Sequence, residues 1–225
     1  MDEVELSTDA LRELLAPLAD PDDAIHMAAY MKDHFPFFGI KAGPRRTAAK
    51  PILQASAHAN ADELLTFASA CWDEPEREFH HTAVDVLRKR ADMIEPDQLD
   101  DLGELIMSKS WWDTVDGLAA WVVGPLVARH PDLVNVMDDW AEDENLWLAR
   151  TAILHQLHYK DDTDAERLFR YSENLAPHTN FFIRKAIGWA LRQYARTDAD
   201  AVRRFVEANA DQLSGLTRRE ALKHL

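Results

Sequence analysis

The sequence predicts an all-α protein, a solenoid of stacked helix pairs, and three observations carry that reading. Only 7 of the 225 residues are glycine, while Ala, Leu, Glu, Asp and Arg are plentiful, a balance that favours helices. Apolar residues recur at three- and four-residue spacing almost throughout, with no alternating run long enough for a strand. From about residue 62 a motif repeats. Phe79 to Leu87, Leu146 to Leu154 and Phe181 to Trp189 superpose on Ala83, Ala152 and Ala186, with Asp116 falling between the first two, in steps of 33, 36 and 34 residues. Periods of this size mark helical repeats whose neighbours share one continuous core.

The elements follow in chain order. Asp9 to Leu15 opens a helix that Pro17 or Pro21 ends. Asp22 to Asp33 reads as the next helix. His34 to Ile40 breaks the pattern with Pro36, Gly39 and several aromatics, a loop with buried rings that Gly43-Pro44 extends. Helix resumes from Arg45. Each later unit reads as a helix pair whose second helix carries the motif, and prolines at 75, 96, 131 and 177 fall near the unit boundaries. In a curved solenoid the second helices line a concave groove, and this register lets Asp116, Arg150 and Arg184 face it.

Length and composition bound the rest. The chain, 47% hydrophobic, suits a single domain over residues 1–225 with ample core. No apolar run approaches the length that crosses a bilayer, so no membrane partner is expected. Met1-Asp2-Glu3-Val4-Glu5 is acidic and lacks the apolar segment of a signal peptide; the expected location is the cytoplasm, with association to the nucleoid through DNA. Cys71 is the only cysteine, which excludes an internal disulfide or a cysteine-based zinc site. The net charge of −15 argues on its face against nucleic acid. The charges are segregated, however: acids at Asp20 to Asp23, Asp138 to Glu144 and Asp161 to Glu166; bases at Lys41 to Lys50, Arg88 to Arg90, Arg184 to Arg196 and Arg203-Arg204. One positive face on an acidic body is compatible with that pattern.

The most informative stretch is Lys109-Ser110-Trp111-Trp112-Asp113-Thr114-Val115-Asp116. Residues four apart share a helix face, so Trp112 and Asp116 point the same way. A flat ring beside an anion suits a flat cationic ligand. Trp111, on a different face, reads as core, and Asp113 as a cap or brace. His80-His81 and His155-x-x-His158 invite a metal reading, but no third ligand has suitable spacing; neither metal nor cofactor is expected. Cys71 reads as a small buried residue. The run Asp138 to Glu144 reads as a solvated turn whose acids favour the start of the next helix. No phosphate-binding glycine loop, nucleophilic serine arrangement or dinucleotide fingerprint is present.

In order and spacing, several segments resemble the AlkD-type DNA alkylation repair glycosylases, a HEAT-like repeat family. They are Ala29 to Ile40 with Pro44-Arg45-Arg46 behind it, Glu76 to Phe79, Lys109 to Asp116, Asn145 to Arg150, Phe181 to Trp189 and Arg218 to His224. Together they cover about residues 22 to 225. The resemblance implies a right-handed superhelix that cradles duplex DNA in its concave face, works as a monomer, and excises cationic bases, chiefly 3-methyladenine and 7-methylguanine. It implies that Trp112 and Trp189 contact the lesion nucleotide, that Asp116 is the catalytic carboxylate, that Arg150 holds the phosphate backbone, and that Tyr30 lines the same site. Arg192 matches a further basic position. Lys41 stands where an uncharged polar residue is expected near the DNA. Arg45, Arg46, Arg184 and Lys185 join Arg150 and Arg192 as the bases that neutralise phosphates.

The chemistry implied is spare. A base methylated at N3 of adenine or N7 of guanine is already a cation and a good leaving group, so no general acid is required. What remains is an oxocarbenium-like sugar, which one carboxylate stabilises while orienting water. The resemblance also implies that the base is not flipped into a deep pocket. No lysine stands out for strand cleavage, so base removal without lyase activity is expected. Two other readings compete: a catalytically silent relative that binds distorted DNA, and a protein-binding scaffold, the common use of helical repeats.

Overall fold

The structure, a computed structural model, describes residues 4–225, and among these every regular element is helical. The chain divides into two compact units, one through Lys109 and one from Ser110 to Leu225.

The first unit begins with α1 (Thr8–Leu15), capped by Ser7, whose Oγ accepts from the Ala10 amide at 3.2 Å. Its apolar stripe buries Leu11 and Leu15, and a 3₁₀ turn containing Pro17 ends it. The next helix, α2 (Pro21–Tyr30), starts one residue earlier and stops three residues sooner than the sequence suggests. Asp20 caps it by accepting from the amides of Asp22 and Asp23, and Pro21 fits the first turn because that turn's N–H has no helical partner. The helix cannot run on to Asp33: Lys32 and Asp33 take φ of 58° and 56°, in the left-handed region.

After the loop, α3 (Ala42–Ala48) already contains Gly43 and Pro44, which the sequence places in loop. A proline in the first turn of a helix forfeits no hydrogen bond. Helices α4 (Lys50–Ala55), α5 (Ala61–Asp73), α6 (Arg77–Lys89) and α7 (Leu99–Met107) follow. Asn60 and Glu63 form a reciprocal capping box at the start of α5, each side chain accepting from the other's amide at 2.9 Å.

The His34–Ile40 loop is pinned from α6. Fully buried Glu78 accepts hydrogen bonds from the amides of Phe38, Gly39 and Ile40, each at 3.0 Å. Gly39 is required there: its φ is 90°, and a Cβ would lie 2.0 Å from the Asp20 carbonyl oxygen. The buried Arg77 guanidinium stacks 3.7 Å from the centre of the Phe35 ring and donates to the Lys109 carbonyl at 2.9 Å.

In the second unit, α8 (Trp112–Leu118) runs through a π-helical turn, Ala119–Val123, into α9 (Gly124–Arg129). Then come α10 (Val134–Ala141), α11 (Leu146–Leu154), α12 (Ala165–Asn174), α13 (Phe181–Tyr194), α14 (Ala199–Ala208) and α15 (Gly215–Ala221). The caps are chemically explicit: Asn145, Asp164, Asn180, Asp198 and Ser214 each accept from an amide of the first turn. Ile153, Leu154, Leu168, Ile183, Ile187, Leu191, Val202 and Phe205 form the heart of one buried cluster across these helices.

The repeat is visible in the bonds that join every second helix, from one repeat to the next. Trp72 Nε1 donates to the carbonyls of Leu105 and Ser108 at 3.0 Å, Tyr159 donates to Gly124 at 2.7 Å, and Thr217 donates to Arg184 at 3.1 Å. All four span 33 to 36 residues. The register needs one correction. Ala83, Ala152 and Ala186 are buried as equivalents. Asp116 is the fifth residue of α8, however, as Arg150 is of α11, 34 residues on. Buried Leu118, not Asp116, therefore occupies the alanine row.

The acidic run from Asp138 is not a solvated turn throughout. Asp138 to Ala141 lie in α10, and Asp138 accepts from Arg167 at 3.0 Å, from Arg170 at 2.6 Å and from the Tyr171 hydroxyl at 2.6 Å. These donors hold its carboxyl far below the usual carboxylate range, Arg167 contributing most. Only the end of the run acts as foreseen, with Asp143 bracing the Asn145 amide at 2.7 Å ahead of α11. Cys71 is buried. His155 is buried too, its Nδ1 2.7 Å from the Ala152 carbonyl oxygen, and burial pulls its pKa down to about 4. His158 stacks on Trp121 with ring centres 3.8 Å apart. No helix among the described residues is long and apolar enough to cross a membrane.

Candidate active site

The site is built at the start of α8. Trp111 occupies the N-cap position in extended conformation, and Thr114 Oγ1 reaches back to its carbonyl at 3.3 Å. Trp112 opens the helix, half-buried, and one turn later comes Asp116. Across the repeat boundary stands Arg150 of α11. Its Nε donates to Asp116 Oδ1 at 2.7 Å and its Nη2 to Oδ2 at 2.8 Å, a two-pronged ion pair, while Nη1 donates to the Phe182 carbonyl of α13. Arg150's side chain is 5% exposed and Asp116's 17%. Burial pushes the Asp116 carboxyl above the ordinary range. The bonds and charge of Arg150 oppose that rise, and the neighbouring Asp113 adds to it. Asp116 is thus a carboxylate in a poorly hydrated place, held in an ion pair by its partner and still partly exposed.

Arg150 does not present its fork outward. Each of its three nitrogens donates one hydrogen bond to a protein oxygen, which leaves two of the five N–H groups of the guanidinium for a further acceptor.

Behind the pair lies an aromatic cluster that the sequence did not disclose. Trp111, Trp147 and Phe182 meet with ring centres 4.9 to 5.9 Å apart, and exposed Phe181 adds an edge contact to Phe182 at 5.5 Å. Trp111, read as core from its spacing, is half-buried within this cluster instead. Its place at the N-cap, outside the helix proper, is the reason. Trp147 and Phe182 each sit near a helix start, the second residue of α11 and of α13, and that shared position is the signal that could have marked them.

Trp189 is half-buried on α13 and packs against the unit's main core cluster. On the same helix, Lys185 Nζ lies 2.9 Å from Glu220 Oε1, and Arg192 donates to Glu220 Oε2. Gly188 permits this. A Cβ there would fall 2.5 Å from the Glu220 Cβ and 2.9 Å from the Thr217 carbonyl oxygen, so its bare backbone lets α15 lie against α13. Arg184 donates to the His178 carbonyl at 2.9 Å.

The remaining candidates belong to the first unit. Tyr30 ends α2 and is 69% exposed. Lys41 pairs with Asp23 at 2.7 Å, and Arg46 with Asp85 at 3.1 Å. Arg45, read as a phosphate contact, is buried; it donates to Thr82 Oγ1 at 3.0 Å and Asp85 Oδ2 at 2.8 Å. Helix α3 turns it toward α6, and burial lowers its pKa despite Asp85. Its role in this fold is to tie two helices together.

With the site in view, comparison with known proteins is decisive. The profile of the DNA alkylation repair enzyme family matches residues 11–225. The chain belongs to that family. A solved structure, a predicted DNA alkylation repair enzyme from Enterococcus faecalis, is 31% identical; the match covers 92% of this chain and 96% of that one with a TM-score of 0.86. No curated protein matches the chain. Family membership supports a role in the repair of alkylated DNA, and the all-α solenoid is the family's fold. Within it, the Asp116–Arg150 pair is an ionised carboxylate fixed in direction, able to stabilise a developing positive charge and to orient a water molecule.

Proposed function

We propose that this member of the DNA alkylation repair enzyme family is a monomeric, monofunctional DNA glycosylase that removes cationic alkylated purines from duplex DNA. The observation that carries the reading is the Asp116 carboxylate. It is held by both oxygens in a poorly hydrated setting and stays 17% exposed, with Trp112 one turn before it on the same helix face.

The chemistry needs little more. The bond between C1′ and N9 of the methylated purine breaks, and its electron pair flows into the positively charged ring, so the base departs neutral. The sugar is left electron-poor at C1′, and Asp116 stabilises that charge through space. Water adds at C1′, and its proton passes to the carboxylate or to solvent. An anion already fixed in place spends nothing on reorganisation as the charge develops, and removing such a group costs on the order of 10²–10³ in rate. Trp112 and Trp189 supply flat faces for the sugar and the cationic base, worth about 0.5–2 kcal/mol each.

The test is release of 7-methylguanine from alkylated plasmid by the purified protein, beside Asp116→Asn. Release by the parent and a loss of at least ~10²-fold in the variant is expected. Equal release by both removes Asp116 from the mechanism, and no release by the folded parent favours a silent DNA-binding relative. Strand integrity measured on a labelled duplex checks that no cleavage accompanies base loss.

A further inference from the structure

We propose that Glu220 is an internal competitor for DNA phosphate: it holds Lys185 and Arg192, so that a duplex gains those two cations only by displacing the carboxylate. The inference rests on the glycosylase reading and names a residue that limits how tightly duplex DNA is held.

Position is the first support. Lys185, Trp189 and Arg192 follow one another at four and three residues along α13, so they form a single stripe of that helix with the indole between two cations. Any phosphodiester drawn to Trp189 meets both bases.

Occupation is the second. One oxygen of Glu220 serves Lys185 and the other serves Arg192. The side chains are 36%, 22% and 18% exposed for Lys185, Arg192 and Glu220, so all three stay within reach of a ligand. The two bases hold the Glu220 carboxyl below its ordinary range, Lys185 foremost.

Recurrence is the third. The exposed bases assigned to DNA in the other unit carry the same device: Lys41 is held by Asp23 and Arg46 by Asp85. In a chain of net charge −15, four of the bases that would meet phosphate, Lys41, Arg46, Lys185 and Arg192, are matched with carboxylates; Arg184 donates to a main-chain carbonyl instead.

Partly exposed ion pairs are weak, so a phosphate can break them. Each exchange still leaves a carboxylate beside the polyanion, and that repulsion lowers affinity for any duplex. The consequence is an enzyme that is not sequestered by intact DNA, which outnumbers lesions overwhelmingly.

The experiment measures fluorescence anisotropy of a short, unmodified, fluorescein-labelled duplex at constant salt. Glu220→Gln should bind about tenfold more tightly than the parent, through loss of one repelling charge and release of two cations. The gain should vanish when Lys185→Met and Arg192→Met are added to Glu220→Gln. A merely structural Glu220 predicts the opposite sign, weaker binding with a lowered melting temperature. Asp23→Asn, at an exposed pair, avoids any folding defect at the α13–α15 contact and should tighten binding about twofold. Unchanged or weaker binding by both folded variants overturns the proposal, as does a gain that survives removal of Lys185 and Arg192. Either result leaves the glycosylase reading standing if the parent still releases 7-methylguanine. Absence of both binding and release in the folded parent sinks the two together.

Discussion

Arg150 and Asp116, 34 residues apart in sequence, are joined by two hydrogen bonds of 2.7 and 2.8 Å across successive helical repeats. This pair decides the ionisation of the site. Burial drives the Asp116 carboxyl upward, and Arg150 restrains the rise. If base release requires the anion, activity falls as pH drops through that raised pKa. Replacing Arg150 by Met removes the restraint, so the acid limb of the pH–rate profile should move to higher pH as well as the rate falling. Arg150→Lys keeps a charge but loses the fork, and its limb should lie between the two. Single-turnover rates against pH for the three proteins make the measurement. Unmoved limbs would show that Arg150 acts only as a binding cation.

Asp138 makes the complementary prediction for stability. Its donors lower its folded-state pKa below the ordinary value. A depressed carboxyl stabilises the fold fully above its unfolded pKa, and that contribution is lost as pH falls below it. The melting temperature of the parent should therefore begin to drop below about pH 5 and keep dropping to the lowest pH at which the protein is folded, and Asp138→Asn should lower the neutral-pH value while flattening that drop. His155 adds to the parent's loss from a higher pH. It is buried, with a pKa near 4 against an ordinary 6.5, so the unfolded chain takes up its proton first and stability begins to fall below about pH 6.5. Because the Asp138 charge also favours protonation of His155, the Asp138 share is read from the slopes of parent and variant below about pH 4, where the loss due to His155 is already complete.

Much of this arrangement could be read from residues alone, and what could not has one cause. Helix periodicity located α8, α11 and α13 because burial repeats along one face of each helix. The repeat length was legible because each unit buries its face on the next. Arg45 was assigned wrongly because its partners, Thr82 and Asp85, stand 37 and 40 residues away, and nothing beside it in sequence distinguishes a buried guanidinium from an exposed one. Trp111, Trp147 and Phe182 likewise converge only through packing between repeats. The two-residue shift in the repeat, which sets Asp116 on the alanine row where Leu118 belongs, comes from matching small residues when the feature that α8 and α11 share is distance from the helix start. Glycine and proline at 43 and 44 misled for a local reason: the first turn of a helix tolerates both.

Gly188 tests whether close approach of α15 to α13 supports the binding stripe. An alanine methyl would stand 2.5 Å from the Glu220 Cβ and 2.9 Å from a main-chain oxygen of Thr217, neither of which is the flexible end of a side chain. Overpacking of this kind costs about 1–3 kcal/mol. Gly188→Ala should lower the melting temperature accordingly and, by shifting α15, disturb the Glu220 contacts to Lys185 and Arg192. A variant as stable as the parent would mean that α15 moves away from α13 without loss.

Glu78 supplies the strongest stability prediction because it satisfies three main-chain donors at once. The amides of Phe38, Gly39 and Ile40 all point at its buried carboxylate, and no alternative acceptor is bonded to them among the described residues. Hydrogen bonds to a charged group are worth about 1.5–3 kcal/mol, and donors left buried without partners cost about 1–3 kcal/mol each. Glu78→Ala should therefore destabilise the first unit by at least about 3 kcal/mol and release the His34–Ile40 loop. Glu78→Gln, with one carbonyl oxygen in place of two anionic ones, should fall between. Denaturant unfolding gives the energies, and amide exchange gives the location: protection should be lost first at Gly39 and Ile40. Loss of stability with those two amides still protected would show that the loop is held by its buried aromatic rings, Phe37 above all, rather than by the carboxylate.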